Sequence, residues 1–188
     1  MATSLKHTLN PGFALLFAVG VERLYKVLDE KAANLASLSS PEVYVPLTMV
    51  LLTLVFGSLS SIANDRYLEA HPDASATSPT ALITYASLAC ALVMFYFSVE
   101  LAFVRYWLAG YAALCLVNAY WNWRAVEAPH RTPHVVVNLS VAVILIVLLL
   151  FRPALLTDPL WFYVFLVLLG AVKWWQRSHE RFPGTEHR

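Results

Sequence analysis

Charge is scarce in this chain, and so is glycine. Only 13% of the 188 residues are Asp, Glu, Lys or Arg, whereas roughly a quarter are charged in soluble domains. The six glycines are scattered; they form neither a GxxxG pair nor a phosphate-cradling loop. No run of basic residues suggests a nucleic-acid partner. These absences argue against an ordinary soluble domain, a nucleotide-binding enzyme and a nucleic-acid-binding protein.

Cysteine and catalytic motifs are also sparse. Cys90 and Cys115 both lie in apolar segments and lack CxxC spacing, so we expect two small buried side chains rather than redox or metal chemistry. The sequence contains no GxSxG elbow and no HExxH pair. We therefore expect no enzyme activity and no cofactor.

Long apolar runs dominate what is present. Residues 80–121 contain just two charges, Glu100 and Arg105. A helix that rises about 1.5 Å per residue crosses the bilayer core in roughly 20 residues, so this stretch has the length of two crossings. A break near residues 98–100, where polarity returns, makes it a tight membrane hairpin. Because lipid offers no partner to exposed amides, such a run must be helical.

A repeated pair of residues predicts where the helices begin. Five prolines follow a capping side chain and precede an apolar run: Asn10-Pro11, Ser40-Pro41, Ser78-Pro79, Thr132-Pro133 and Asp158-Pro159. With the hairpin return, these starts predict an all-α membrane protein. It is a single domain, 1–188, built as a bundle of six transmembrane helices with short loops, at about 11–31, 41–63, 79–99, 101–123, 133–151 and 159–175.

The distribution of Lys and Arg predicts the orientation. Six crossings put eight cations on the side of the termini and five on the other: Lys6, Arg66, Arg124, Arg131, Lys173, Arg177, Arg181 and Arg188, against Arg23, Lys26, Lys31, Arg105 and Arg152. The positive-inside rule then favours cytoplasmic N- and C-termini. The alternative is five spans plus an amphipathic N-terminal helix on the membrane surface. In that topology the two sides of the membrane carry nearly equal numbers of Lys and Arg, so the rule predicts no orientation.

Glu22 is the most informative single residue. Counted from Pro11 it lies roughly 16 Å along its helix, near the middle of the membrane core, where an ionisable group is costly unless paired, protonated or hydrated. Lys26, one turn later, has the spacing to pair with it. Glu22 is therefore a candidate for an ion-responsive residue that lines a pathway, with Lys26 beside it, or else one half of an internal ion pair.

Other polar positions fall on the later helices. Asn118 and Asn122 share a helix face at i, i+4, and Asn138 lies on the next helix. We expect them to form interhelical hydrogen bonds or to line a polar pathway. Glu100 and Arg105 flank the hairpin turn and are expected to form an interfacial pair.

His130 and His134 are the candidates for metal binding. Their i, i+4 spacing resembles one histidine box of membrane-bound di-iron hydroxylases and desaturases, but those enzymes need several boxes and this sequence has one, interrupted by Pro133. We therefore expect interfacial histidines and no bound metal.

Together these features predict an integral protein of a bacterial inner membrane, surrounded by lipid. The favoured function is an oligomeric channel or a small-solute or ion transporter, with the pore between copies in a homo-oligomer. The alternative is a non-catalytic membrane subunit, a sensor, anchor or assembly partner. It would contact a soluble protein on the cytoplasmic side through loop 64–78, the link 123–133 and the tail 176–188.

Overall fold

The computed structural model describes residues 5–31, 40–71, 78–126, 128–152 and 158–179, with side chains omitted at 5–10, 128–130, 159, 173 and 176–179. Over these residues the chain forms six α-helices, one 3-10 turn and no strand. The elements are α1 Leu5–Lys31, α2 Pro41–Ala70, α3 Pro79–Phe97, the 3-10 turn Leu101–Phe103, α4 Val104–Ala125, α5 Ala128–Phe151 and α6 Pro159–His179. The predicted helical class is therefore confirmed.

Three of the five proline starts are confirmed. α2, α3 and α6 begin at Pro41, Pro79 and Pro159. At α3, the Ser78 hydroxyl accepts from the Ala81 amide over 3.2 Å. At α6, Asp158 Oδ1 accepts from the amides of Leu160 and Trp161 over 3.0 and 3.3 Å. These side chains satisfy amides that the first helical turn leaves without a partner.

The other two starts are wrong, because Pro11 and Pro133 lie inside helices that begin at Leu5 and Ala128. Pro11 is the seventh residue of its helix and Pro133 the sixth, so each removes one intrahelical hydrogen bond and the remaining bonds carry the helix past it. The proline therefore marks the first turns of these helices rather than their first residue.

The second helix is longer than predicted, continuing to Ala70 instead of ending at residue 63. Its extra two turns are held by packing: Leu68 is buried, and the Tyr67 ring stacks on His71 at 4.3 Å and meets the Trp121 ring edge-on at 6.1 Å. Residues 64–70 are thus helical, so the loop predicted for 64–78 is wrong over its first seven residues. Residues 72–77 of that loop lie outside the described residues.

Four helical segments in the described part of the chain are long and apolar enough to cross a membrane. They are Pro41–Ala70, Pro79–Phe97, Leu101–Ala125 and Arg131–Phe151. In α6 the apolar stretch is shorter, Leu160–Val172, and the second half of α1 carries charges at Glu22, Arg23, Lys26, Asp29, Glu30 and Lys31. Four spans of this kind indicate a membrane protein.

α1 lies lengthwise along the bundle. Gly12 faces Leu88 and Gly20 faces Phe95, so α1 runs parallel to α3. Gly20 also faces Leu54 while Gly57 faces Leu16, so α1 runs antiparallel to α2. The buried residues of α1, from Phe13 to Val27, extend about 21 Å along these two neighbours.

Candidate functional site: a polar cavity between five helices

A cavity of about 40 Å³ lies between α1, α2, α3, α4 and α5. About 10–15 Å³ of such space is enough for one water molecule, so the cavity has room for about three. Its described lining combines apolar walls with amides and hydroxyls: Phe13, Leu16, Phe56, Gly57, Ser60, Ala63, Asn64, Thr84, Ser87, Leu88, Ala91, Leu114, Asn118, Trp121, Asn122 and Asn138. Polar groups lined up inside a membrane bundle are costly and typically functional.

The space comes from small side chains at helical spacing. On α2 they are Gly57, Ser60 and Ala63, and on α3 they are Ser87 and Ala91. Residues three or four apart lie on one helix face, so each helix presents a shallow strip where a larger residue would have filled the gap. This strip leaves room for the longer amide side chains around it.

The three asparagines predicted to act together all line this one cavity. Asn122 and Asn138 are buried and Asn118 is half-buried. Asn138 Nδ2 donates to the carbonyl of His134 in its own helix over 2.9 Å. Within the described part of the chain, Asn118 and Asn122 form no side-chain hydrogen bond, so the expected bonds between helices are not made by these two. Their amides are available to whatever fills the cavity.

Asn64 was missed from the sequence, because the second helix was predicted to stop one residue before it. In the structure Asn64 is 2% exposed and lines the cavity. Neither its Oδ1 nor its Nδ2 has a hydrogen-bond partner in the part of the chain that the structure describes. The signal was present in the spacing Gly57, Ser60, Asn64, which continues the small and polar strip of α2 along the same face.

Aromatic side chains close the bundle beyond the cavity. Phe56, a cavity-lining residue, packs on Tyr111 with ring centroids 4.8 Å apart. Tyr111 stacks in turn on Trp107 at 5.9 Å, and Trp107 meets Phe162 of α6 edge-on at 6.2 Å. We call Phe56, Trp107 and Tyr111 the aromatic seal. On α4 the cavity is lined from the second half of the helix, by Asn118 and Asn122, whereas Trp107 and Tyr111 of the seal lie in the first half.

Glu22 and Lys26 lie outside the described cavity lining. The side chain of Glu22 is 59% exposed and its carboxylate is 3.2 Å from Arg23 Nε, while Lys26 lies 3.9 Å from Glu30. Since Gly20 faces Phe95 near the end of α3, Glu22 is level with that end rather than with the middle of the bundle. The count from Pro11 placed Glu22 too near the start of its helix, because α1 begins six residues earlier, at Leu5. Its role as an ion-responsive residue of a pathway stays a prediction.

Glu100 pairs with a different cation from the one predicted. Lys31 Nζ, at the end of α1, donates to Glu100 Oε2 over 2.7 Å, whereas Arg105 is exposed on α4. The cause is the parallel course of α1 and α3, which brings the end of α1 to the α3–α4 turn. The ion pair therefore joins two distant segments instead of two residues of one turn.

The two histidines considered for metal binding cannot be compared as a pair, because the His130 side chain lies outside the described residues. His134 is buried, with its ring 5.9 Å from that of Trp175. In the described part of the chain, no three His, Cys, Asp or Glu side chains are grouped so that they could hold a metal ion. The tail proposed to contact a soluble partner also lies largely outside the described residues.

Comparison with known proteins adds no relative: no family model, curated protein or solved structure matches this chain.

Proposed function

We propose that this chain is a small membrane transport protein, a channel or carrier, in which the polar cavity binds the solute on its way across the bilayer. The observation that carries the proposal is the set of cavity amides, with both polar atoms of Asn64 buried and without a partner among the described residues. A buried polar group without a hydrogen bond costs about 1–3 kcal/mol. Such a cost is understandable where a passing polar molecule supplies the missing bonds.

The position of the cavity changes the route expected from the sequence. A pore between copies was favoured because one small bundle has little interior, but this cavity is lined by five helices of a single chain. A route through one copy therefore suffices for the proposed function. Assembly into a homo-oligomer stays a prediction, and so does the bacterial inner membrane as location.

We further propose that all six helices cross, with both termini in the cytoplasm. Support comes from α1, which follows α2 and α3 lengthwise instead of lying across the bundle, as a surface helix in the membrane plane would. The excess of Lys and Arg on the side of the termini sets the orientation. In this topology the cavity belongs to the cytoplasmic half and the aromatic seal to the outer half.

Cysteine labelling tests the topology. In a Cys90→Ala, Cys115→Ala background, Thr3→Cys and Thr185→Cys should react with a membrane-impermeant reagent from the same side, and Ala102→Cys in the hairpin turn from the opposite side. If Thr3 and Thr185 are labelled from opposite sides, the number of spans is odd and the six-helix topology is wrong.

Flux into liposomes tests the transport function. The purified chain is reconstituted, and the entry of water, acetamide, Na⁺ and Cl⁻ is followed by light scattering and ion-sensitive dyes. We expect at least one solute to cross faster than through protein-free liposomes, and Asn122→Leu to slow it. Ser140→Ala is the control, because Ser140 is exposed two residues from Asn138 on α5. If no tested solute crosses faster than through empty liposomes, the transport proposal fails.

A further inference from the structure

Asn64 lies in the wall of the cavity, and the residues that the structure describes leave its hydrogen-bonding capacity unused. It lies in the middle of the C-terminal half of α2 and is 2% exposed, and among the described residues its carbonyl oxygen and amide nitrogen have no hydrogen-bond partner. A carboxamide offers two donors and an acceptor with two lone pairs. A ligand that fits Asn64 must therefore be able both to accept and to donate.

The other polar groups of the cavity have the same dual character. Asn118 and Asn122 supply further amides. The hydroxyls of Thr84 and Ser87 donate to the carbonyls of Thr80 and Ile83 over 3.0 and 3.2 Å. Because their protons are used within α3, these hydroxyl oxygens can serve a ligand only as acceptors. The cavity can thus accept from a ligand N–H or O–H and donate to a ligand oxygen.

Charge is missing from the described lining, which contains no Asp, Glu, Lys, Arg or His. An ion entering this site would lose its water without meeting an opposite charge, and the burial of an uncompensated charge is far more costly than that of a hydrogen-bonded neutral group. Room for about three water molecules corresponds to a solute of about three or four non-hydrogen atoms.

We infer that the cavity is a binding site for a small uncharged solute that carries both a hydrogen-bond donor and an acceptor, of the size and chemistry of a simple amide, and that Asn64 is its specificity-determining contact. The purpose of such binding rests on the proposed transport function, but the binding itself can be measured without flux.

Binding is measured on the detergent-purified full chain by the shift of its thermal unfolding temperature with acetamide. A ligand that binds only the folded state raises that temperature. Acetone is the matched probe, since it keeps the shape and carbonyl oxygen of acetamide but has no N–H. We expect acetamide to raise the unfolding temperature of the wild-type protein. The concentration of acetone needed for the same shift should be at least tenfold higher.

Variants then locate the contact. Asn64→Leu keeps the side chain branched at Cγ but replaces both polar atoms by methyl groups, so the concentration of acetamide needed for a given shift should rise about tenfold. Ser58→Ala is the control, because the Ser58 hydroxyl donates to the carbonyl of Leu54 over 2.8 Å on the same helix and is not part of the described cavity lining. Should Asn64→Leu fail to fold, the comparison of acetamide with acetone on the wild-type protein still decides the ligand class.

Each combination of results separates this inference from the transport function. Acetamide binding that is lost in Asn64→Leu, without flux of any tested solute into liposomes, supports the site and overturns the transport proposal. Na⁺ or Cl⁻ flux without acetamide binding overturns the inference and keeps transport. If acetamide and acetone raise the unfolding temperature equally, the assigned ligand class is wrong. If Asn64→Leu and Ser58→Ala respond equally to acetamide, Asn64 is not the specificity-determining contact.

Discussion

Trp107 on α4 donates a hydrogen bond from its indole Nε1 to the hydroxyl oxygen of Thr53 on α2, over 3.0 Å. Both residues are fully buried. Thr53 in turn donates to the carbonyl of Met49 over 2.7 Å, so its hydroxyl is used as donor and acceptor at once. This bond fixes the largest ring of the aromatic seal against the neighbouring helix.

Removing the Thr53 hydroxyl should destabilise the bundle. Thr53→Val keeps the shape but leaves the Trp107 N–H buried without an acceptor, which costs about 1–3 kcal/mol. The loss is measured as a lower midpoint of unfolding. In the double variant with Trp107→Phe the donor is gone as well, so the effect of Thr53→Val should shrink to a few tenths of a kcal/mol. An equal effect in both backgrounds would show that the bond contributes nothing.

Opening the aromatic seal should increase flux. Phe56→Ala removes the ring between the cavity and Tyr111. Because apolar constrictions block polar solutes by excluding water, liposomes with this variant should take up solute several-fold faster than those with wild type. Phe165→Ala is the control, since Phe165 packs on the same apolar cluster outside the described cavity lining. A wild-type rate for a folded Phe56→Ala protein would exclude this seal as the barrier.

The stabilities of two variants, Glu100→Gln and Arg105→Gln, distinguish the observed ion pair of Glu100 with Lys31 from the predicted pair with Arg105. The side chains of Lys31 and Glu100 are 18% and 46% exposed, so solvent screens their attraction and Glu100→Gln should lose about 0.5–1 kcal/mol of stability. The difference should diminish at high salt. Arg105→Gln should leave the unfolding midpoint unchanged. If Arg105→Gln destabilises as much as Glu100→Gln, the pairing in the structure is wrong.

Gly20 allows α1 to approach its neighbours closely. A Cβ atom added there would meet the Leu54 side chain and lie 2.8 Å from Phe95 Cζ, whereas nothing lies within 4 Å of one added at Gly170. Gly20→Leu should therefore lower stability by about 1–3 kcal/mol through overpacking. Gly170→Leu, an equal change on α6, should leave the midpoint unchanged or raise it slightly. Equal midpoints for the two variants would show that α1 is not packed in this way.

Much of the fold follows from local sequence. The apolar runs and the scarcity of charge identify helices, since only a helix satisfies the amides of such a run within itself. The Ser78 and Asp158 caps mark their helix starts for the same local reason. Helix ends were less predictable: Asn64 and the following polar residues suggested a loop, but Leu68 and Tyr67 find tertiary partners that extend α2.

The sequence by itself determined that the chain is a bundle of apolar helices and that Asn118 and Asn122 share a face, because both depend on spacing within a single helix. Only the tertiary structure decided that Asn64 joins them in one cavity, that Glu22 lies outside its lining, and that Lys31 pairs with Glu100. Those relationships depend on how far one helix is shifted along another. That shift results from side-chain packing between segments distant in the chain, which no local pattern encodes.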